Sequence, residues 1–194
     1  MRIIGGEKRS RAILAPAGED TRPTLDQTRE SLFNILRGRV VDAEVLDLYA
    51  GSGALALEAL SRGAKRAVLV DLSREACRVI RKNIETLGFQ EAAALYQTDA
   101  AVALDRLQKK DARFDLIFLD PPYRVNLSET LKKCAEGGLL SADGRIIAEH
   151  AAKTPPVCPP GLVLLDRRDY RGTSLSFYGR DEHGPDEVPV SGQL

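Results

Sequence analysis

The chain has 194 residues, of which 43% are hydrophobic and 29% charged, and its formal net charge is zero at pH 7. This length and composition are typical of one globular domain with a sizeable core, and they exclude a largely disordered chain. No apolar run approaches the roughly 18 residues of a membrane span, and the three cysteines form no Cys-x-x-Cys pair. We therefore expect neither a membrane segment nor a disulfide framework nor a zinc site, and a reducing, cytoplasmic location.

The first 40 residues carry eight basic side chains against five acidic ones. Within them, Ile3-Ile4 and Ala12-Ile13-Leu14 flank a glycine pair, which predicts a small N-terminal β-hairpin, and a helix is expected from about Thr24. The basic side chains of interest are Lys8, Arg9, Arg11 and Arg22. They are compatible with contacts to phosphates, or with an ordinary solvated surface.

From residue 45 onward, strand and helix patterns alternate. Strands are predicted over 45–49, 66–71, 92–96 and 114–119, with helices over 54–62, 73–87, 99–109 and about 127–135. Three further strands, 145–149, 162–168 and 174–178, follow Gly144, and the turn between the last two is too short for a parallel crossover. The pattern predicts a Rossmann-like α/β fold. Its mostly parallel seven-stranded sheet ends in an antiparallel C-terminal hairpin, within a single domain of residues 1–180 before a flexible acidic tail, 181–194.

A glycine-rich turn, Asp47-Leu48-Tyr49-Ala50-Gly51-Ser52-Gly53, lies between the first strand of this pattern and the next helix. Its glycines permit a sharp turn and close approach of a ligand, and the helix N-terminus offers free N–H groups. Asp71 ends the next strand, where a carboxylate can accept both hydroxyls of a ribose. Asp99 follows the strand after that and is placed to accept from an adenine amino group. The turn therefore predicts a nucleoside-containing cofactor.

A nicotinamide cofactor is one alternative, because Gly51–Ala56 formally satisfies the Gly-x-Gly-x-x-Gly/Ala fingerprint. However, Asp47 lies close to the turn, where a carboxylate would repel a pyrophosphate and attract the ammonium of an amino-acid cofactor. A dehydrogenase is therefore the less favoured interpretation.

A second motif, Asp120-Pro121-Pro122-Tyr123, directly follows the apolar strand 114–119. Two prolines can neither continue a sheet nor begin a regular helix, so a stiff turn is expected at the carboxyl end of the strand, where open α/β sheets bind their ligands. The turn would present a carboxylate, a carbonyl and an aromatic face together. This combination suits a flat ring bearing an amine.

Together these motifs resemble those of the class I S-adenosylmethionine-dependent methyltransferases. The likeness extends to the bacterial 16S ribosomal RNA guanine-N2 methyltransferase family, the RsmD family. The stretches that carry this finer resemblance are 2–6, 9–16, 21–24, 29–36, 47–63, 114–123 and 177–179. Gln27, where a basic residue is common, and the acidic tail depart from the family pattern.

The resemblance implies methylation of the exocyclic N2 amine of a guanine in 16S ribosomal RNA. We expect a monomer, and the substrate is either naked RNA or a small-subunit particle. The implied cofactor-binding residues are Asp47, Tyr49, Ala50, Gly51, Ser52, Gly53, Asp71, Leu72, Asp99, Ala100 and Asp120. The implied catalytic residues are Asp120, Pro121, Pro122 and Tyr123, and the implied RNA contacts are Lys8, Arg9, Arg11, Arg22 and Tyr123. No metal is implied.

Two other functions remain open: N6-adenine methylation of RNA or DNA, and a noncatalytic RNA-binding assembly factor. Arg22 is expected either to clamp the cofactor carboxylate or a phosphate, or to lie on the surface. Asn83, in a charged helix, is expected to be solvated, and Cys77 to belong to the core. His150 and His183 suggest no chemical role.

Overall fold

The computed structural model describes residues 1–17, 23–122, 125–170 and 172–181, with the backbone alone for 23–25. Its helices are α1 (Pro23–Ile35), α2 (Ala54–Ser61), α3 (Arg74–Leu87), α4 (Ala100–Gln108) and α5 (Leu127–Glu136). Its strands are β1 (Glu44–Leu48), β2 (Arg66–Asp71), β3 (Ala93–Gln97), β4 (Phe114–Leu119), β5 (Leu140–Ala151), β6 (Leu162–Asp169) and β7 (Thr173–Arg180).

The seven strands form one sheet in the order β3-β2-β1-β4-β5-β7-β6. Strands β1 to β5 pair in parallel, whereas β7 runs antiparallel to both β5 and β6. The predicted parallel sheet with an antiparallel C-terminal hairpin is thus confirmed. The strand order reverses between β1 and β4, and such a switch point leaves a crevice at the carboxyl ends of the two strands.

The sheet separates two hydrophobic layers, because successive strand residues point to opposite faces. On one face, Leu116 and Phe118 of β4 pack in a core with residues of α1, α2 and α3. On the other face, Ile117 and Leu119 pack in a core with residues of α4 and α5. Both faces of the central strands are covered, which explains their continuous apolar sequence.

The N-terminal segment is held mainly by α2. The predicted hairpin is reduced to one antiparallel bridge, between Arg2 and Ala12. The buried carboxylate of Glu58 accepts hydrogen bonds from the backbone N–H groups of Ile4 at 2.8 Å and Gly5 at 2.7 Å. Gly6 has a φ of +77°, and a Cβ there would overlap the Ser61 carbonyl. This close approach requires glycine and fixes the segment against the C-terminal end of α2.

None of the helices in the described part of the chain is long and apolar enough to cross a membrane. The predicted single domain over residues 1–180 stays a prediction. The acidic tail beyond Asp181 lies outside the described residues.

Candidate functional site

Two adjoining cavities occupy the crevice at the carboxyl ends of β1, β2, β4 and β5. Their volumes are about 900 Å³ and 430 Å³. Tyr49, Gly51, Asp120 and Glu149 line both cavities. The glycine turn and the Asp-Pro-Pro turn, 67 positions apart in sequence if counted from Gly53 to Asp120, therefore open onto one continuous site.

The glycine turn is built from left-handed backbone conformations. Gly51 and Gly53 have φ angles of 55° and 78°, and Tyr49 has a φ of 66°, which is uncommon for a residue with a side chain. A Cβ on Gly53 would lie 2.9 Å from a methyl carbon of Leu69. Because the turn needs both this backbone conformation and this space, Gly53 can end it and begin α2 at once.

Asp71 has two roles in the larger cavity. Its Oδ2 accepts the Gly51 N–H at 2.8 Å and its Oδ1 accepts the Ser73 N–H at 2.8 Å. Each carboxylate oxygen has further lone pairs, so the group can still accept ligand hydroxyls. Leu72, beside it, leaves 68% of its surface exposed and lines the same cavity.

Asp99 lies across the larger cavity as the N-cap of α4. Its Oδ1 accepts the Ala101 N–H at 2.8 Å, and Asp99 and Ala100 both line the cavity. Asp71, Asp99 and the exposed side chain of Leu72 thus line the same cavity.

Asp47 is buried beneath the turn, where its Oδ2 accepts the Ala56 N–H at 3.1 Å. The pKa of this carboxyl is raised to about 8, mainly by burial and in smaller part by the charges of Asp120 and Asp71, against the lowering effect of the hydrogen bond from Ala56. A bound cation would favour the ionised form. The smaller cavity is therefore suited to an ammonium or a sulfonium group.

The Asp-Pro-Pro turn lies where the sequence predicted it, directly after β4. Asp120, Pro121 and Pro122 line the larger cavity, and the Pro122 carbonyl accepts the Val125 N–H at 3.0 Å. Asp120 also lines the smaller cavity. Tyr123, predicted to stack on the substrate ring, lies outside the described residues.

Sequence reasoning missed Glu149, on β5. Leu119, the last residue of β4, pairs with Ala148, so Glu149 comes next along β5 as Asp120 comes directly after β4. Burial, and to a smaller extent the charge of Asp120, raise the pKa of Glu149 to about 7. An acidic residue at the end of the apolar run Ile146-Ile147-Ala148 was the available signal, because it places a carboxylate at the same edge as Asp120.

Arg29 of α1 was also missed as a site residue, and among the described residues it is the only lysine or arginine that lines either cavity. Its Nη2 donates to the Arg2 carbonyl at 2.6 Å and to Asp26 at 3.0 Å. Its buried Nε lies 3.8 Å from a carboxylate oxygen of Glu58 and has no hydrogen-bond partner within the described part of the chain. The two cavities are thus predominantly acidic.

Of the predicted RNA contacts, Lys8, Arg9 and Arg11 line neither cavity. Arg9 and Arg11 are exposed, whereas Lys8 is half-buried, with its Nζ 5.5 Å from the ring centre of Phe89. The Lys8 N–H donates to Ser61 at the end of α2, about 12 Å along the helix from the glycine turn. Arg22 lies outside the described residues.

The expectation that Asn83 is solvated was wrong. Its side chain is 1% exposed. It donates to the carbonyls of Ser52 and Leu14, each at 2.9 Å, and accepts the Leu14 N–H at 2.8 Å. The charged residues around it occupy the outer face of α3, which the sequence pattern did not distinguish from this inner position.

The remaining candidates have structural partners. Cys77 is fully buried. His150 lines the larger cavity, but its two ring nitrogens lie 2.9 Å from the Ala151 carbonyl and 2.8 Å from the Ser176 hydroxyl. The Tyr49 hydroxyl lies 3.0 Å from that of Thr130. Among the residues described, no group of three His, Cys, Asp or Glu could hold a metal ion.

A family model described as "Conserved hypothetical protein 95" matches residues 1–179. The chain belongs to this family. A Bacillus subtilis relative named "Putative rRNA methyltransferase YlbH" is 38% identical over 180 residues, which are 92% of this chain and 98% of that protein. The Escherichia coli K12 protein named "Ribosomal RNA small subunit methyltransferase D" is 35% identical over 190 residues, 97% of this chain and 94% of that one.

Solved structures of similar proteins agree with this family. The structure named "Putative methyltransferase yhhF from Escherichia coli" has a TM-score of 0.82 and 35% identity, and the match covers 93% of this chain and 98% of that one. The predicted resemblance to the RsmD family and the predicted methyltransferase fold are both confirmed.

Proposed function

We propose that this chain transfers the methyl group of S-adenosylmethionine to the exocyclic N2 amine of a guanine in 16S ribosomal RNA. The observation that carries this proposal is the continuity of the site. Asp71 and Asp99 line the same cavity as the Asp120-Pro121-Pro122 turn, and Asp47 and Asp120 both line the adjoining one. A nucleoside cofactor and an amine-bearing ring can therefore meet at Asp120.

The donor groups around the cavities fit this cofactor. Asp71 would accept the ribose hydroxyls, Asp99 the adenine amino group, and Leu72 would cover an adenine face. Asp47 would pair with the ammonium, and the acidic lining would favour the positive sulfonium. When bound, the cofactor supplies an electrophilic methyl group on sulfur.

The Asp-Pro-Pro turn would make a ring amine more nucleophilic. The lone pair of such an amine is delocalised into the ring, which makes it a poor nucleophile. The Asp120 carboxylate and the Pro121 carbonyl would accept its two hydrogens and favour a pyramidal nitrogen. The nitrogen–carbon bond then forms as the carbon–sulfur bond breaks, in a displacement that depends mainly on positioning, and the amine releases one proton.

The nature of the substrate rests on the relatives and on the N-terminal segment. The names of the E. coli and B. subtilis relatives specify ribosomal RNA. The exposed Arg9 and Arg11 would bind phosphates of a structured RNA, and Tyr123 would stack on a base extruded from it. We further propose that the enzyme acts as a cytoplasmic monomer on RNA within the small subunit or its assembly intermediate.

The proposal is tested by mapping methylated nucleotides in 16S ribosomal RNA. RNA from cells with the gene, without it, and with an Asp120→Ala copy would be compared. We expect one N2-methylguanosine that disappears without the gene and is not restored by the variant. Loss of an N6-methyladenosine instead would support the adenine alternative. Full restoration by the variant would support a noncatalytic assembly factor.

A further inference from the structure

Glu149 lies beside the Asp-Pro-Pro turn without a structural role that accounts for it. Its carboxyl group follows Ala148, which pairs with Leu119, the residue before Asp120. Neighbouring strands lie about 4.8 Å apart, so the two carboxylates lie on adjacent segments of the backbone at one edge of the sheet. Glu149 lines both cavities together with Asp120.

No hydrogen bond or ion pair joins the Glu149 side chain to another residue of the described part of the chain. Burial and, to a smaller extent, repulsion from Asp120 disfavour its ionised form. A half-buried carboxylate placed against another carboxylate is unfavourable in the ligand-free protein. A ligand that donates hydrogen bonds to both groups would relieve this repulsion.

The target base offers such a pair of donors. In guanine, the N2 amine is next to the ring N1–H, so its Watson–Crick edge presents two neighbouring donors. In adenine, the ring nitrogen next to the N6 amine carries a lone pair and no hydrogen. A carboxylate beside the amine site therefore attracts guanine and repels adenine, whereas the Asp-Pro-Pro turn alone holds either amine.

We infer that Glu149 is a specificity-determining residue that accepts a hydrogen bond from N1–H of the target guanine while Asp120 and the Pro121 carbonyl hold its N2 amine. This inference rests on the proposed function and goes beyond it, because it assigns the choice between guanine and adenine to a strand-end side chain outside the turn. A site built to bind a donor rejects an analogue without it strongly, because its acceptor is left unpaired.

The test compares guanosine with 2-aminopurine at the target position of a ligated 16S RNA. The analogue keeps the 2-amino group, but its N1 has no hydrogen. Single-turnover methyl transfer would be measured with the wild type, Glu149→Gln and Glu149→Asp at a pH well above the Glu149 pKa of about 7, so that the carboxylate is ionised and can only accept. We expect the wild type to prefer guanosine by roughly 100-fold or more. Glu149→Gln should lower that preference at least about 10-fold, because its amide can also donate to an unprotonated N1.

The ratio of the two rates separates the inference from other roles of Glu149. Glu149→Asp keeps the charge and should retain most of the preference, and unchanged cofactor affinity and thermal unfolding of each variant serve as the fold control. A purely structural role, or a role only in taking up the released proton, would lower both rates in Glu149→Gln and leave their ratio unchanged, which would overturn the inference. Wild-type enzyme that leaves the guanosine RNA unmethylated would contradict the proposed function itself.

Discussion

The backbone N–H of Gly51 donates a 2.8 Å hydrogen bond to the Asp71 carboxylate. The side chain proposed to bind the ribose therefore also holds the glycine turn, so its removal acts on the cofactor in two ways. The same turn also leads into α2, because Gly53 is the N-cap of that helix.

Substitution of Asp71 should weaken cofactor binding, by an amount that depends on how many acceptors the new side chain keeps. Asp71→Ala loses the ribose acceptors and the support of Gly51, and we expect S-adenosylmethionine affinity to fall roughly 100-fold, since a hydrogen bond to a charged group contributes about 1.5–3 kcal/mol. Asp71→Asn keeps one oxygen acceptor and should lose less. Titration calorimetry with S-adenosylmethionine and, in parallel, with NAD measures both. Tight NAD binding with no S-adenosylmethionine signal would contradict the proposed cofactor.

Replacement of Lys8, Arg9 and Arg11 by Ala should weaken RNA binding and reduce its salt dependence. Each lost phosphate contact lowers the slope of log K against log salt by about 0.7–0.9. Cofactor affinity should stay the same, because these residues line neither cavity. A matched control removes three cations near the end of α4, Lys109, Lys110 and Arg113; Lys110 also lies over an aromatic ring, that of Tyr96. Equal slopes for the two triple variants would show that the N-terminal segment is an ordinary surface.

Substitutions of Asp120 and of Tyr123 should reduce methyl transfer in different ways. Asp120→Ala removes an acceptor for the reacting amine, so the single-turnover rate should fall by about 10²–10³ with little change in cofactor affinity. Tyr123→Ala should raise KM and lower kcat together, because stacking on a base contributes about 1–3 kcal/mol, whereas Tyr123→Phe should keep most activity. Methyl transfer to ribosomal RNA or small-subunit particles measures all three. Near-normal transfer by a folded Asp120→Ala enzyme would falsify the role of this turn.

The buried Asp47 should make the ligand-free protein less stable as the pH rises. Its pKa is raised from 3.8 to about 8, so between these values the unfolded chain has lost a proton that the folded chain keeps. The free energy of unfolding then falls with pH, by up to about 1.4 kcal/mol per pH unit. The pKa of Glu149 is raised from 4.5 to about 7, so Glu149 also makes the free energy of unfolding fall with pH between these two values.

Urea unfolding from pH 5 to pH 8 measures this slope in the wild type and in Asp47→Asn, which keeps an oxygen to accept the Ala56 N–H. The variant should show a flatter dependence that retains the Glu149 part. Saturating S-adenosylmethionine should also flatten the wild-type slope, because a cation favours the ionised carboxylate. Parallel curves for the two ligand-free proteins would contradict a neutral Asp47 at pH 7.

The sequence predicted the sheet, its hairpin and the two turns because each depends on local patterns. Apolar runs that end in Gly51 or in Pro121 specify a strand end and a turn without knowledge of the rest of the chain. Glu149 and Arg29 were missed because their importance arises only when β5 and α1 are packed beside the site. Asn83 was misjudged for the same reason, since its partners, Ser52 and Leu14, are distant in sequence.

The Asn83 side chain connects the N-terminal segment to the glycine turn. One buried amide bonds both to Leu14 and to Ser52. If a bound RNA shifted the backbone near Leu14, it would change the free energy of cofactor binding at the turn through this amide. The cofactor must then change the affinity for that RNA by the same factor. Enzyme with bound cofactor and enzyme without it would in that case differ in their affinity for the RNA.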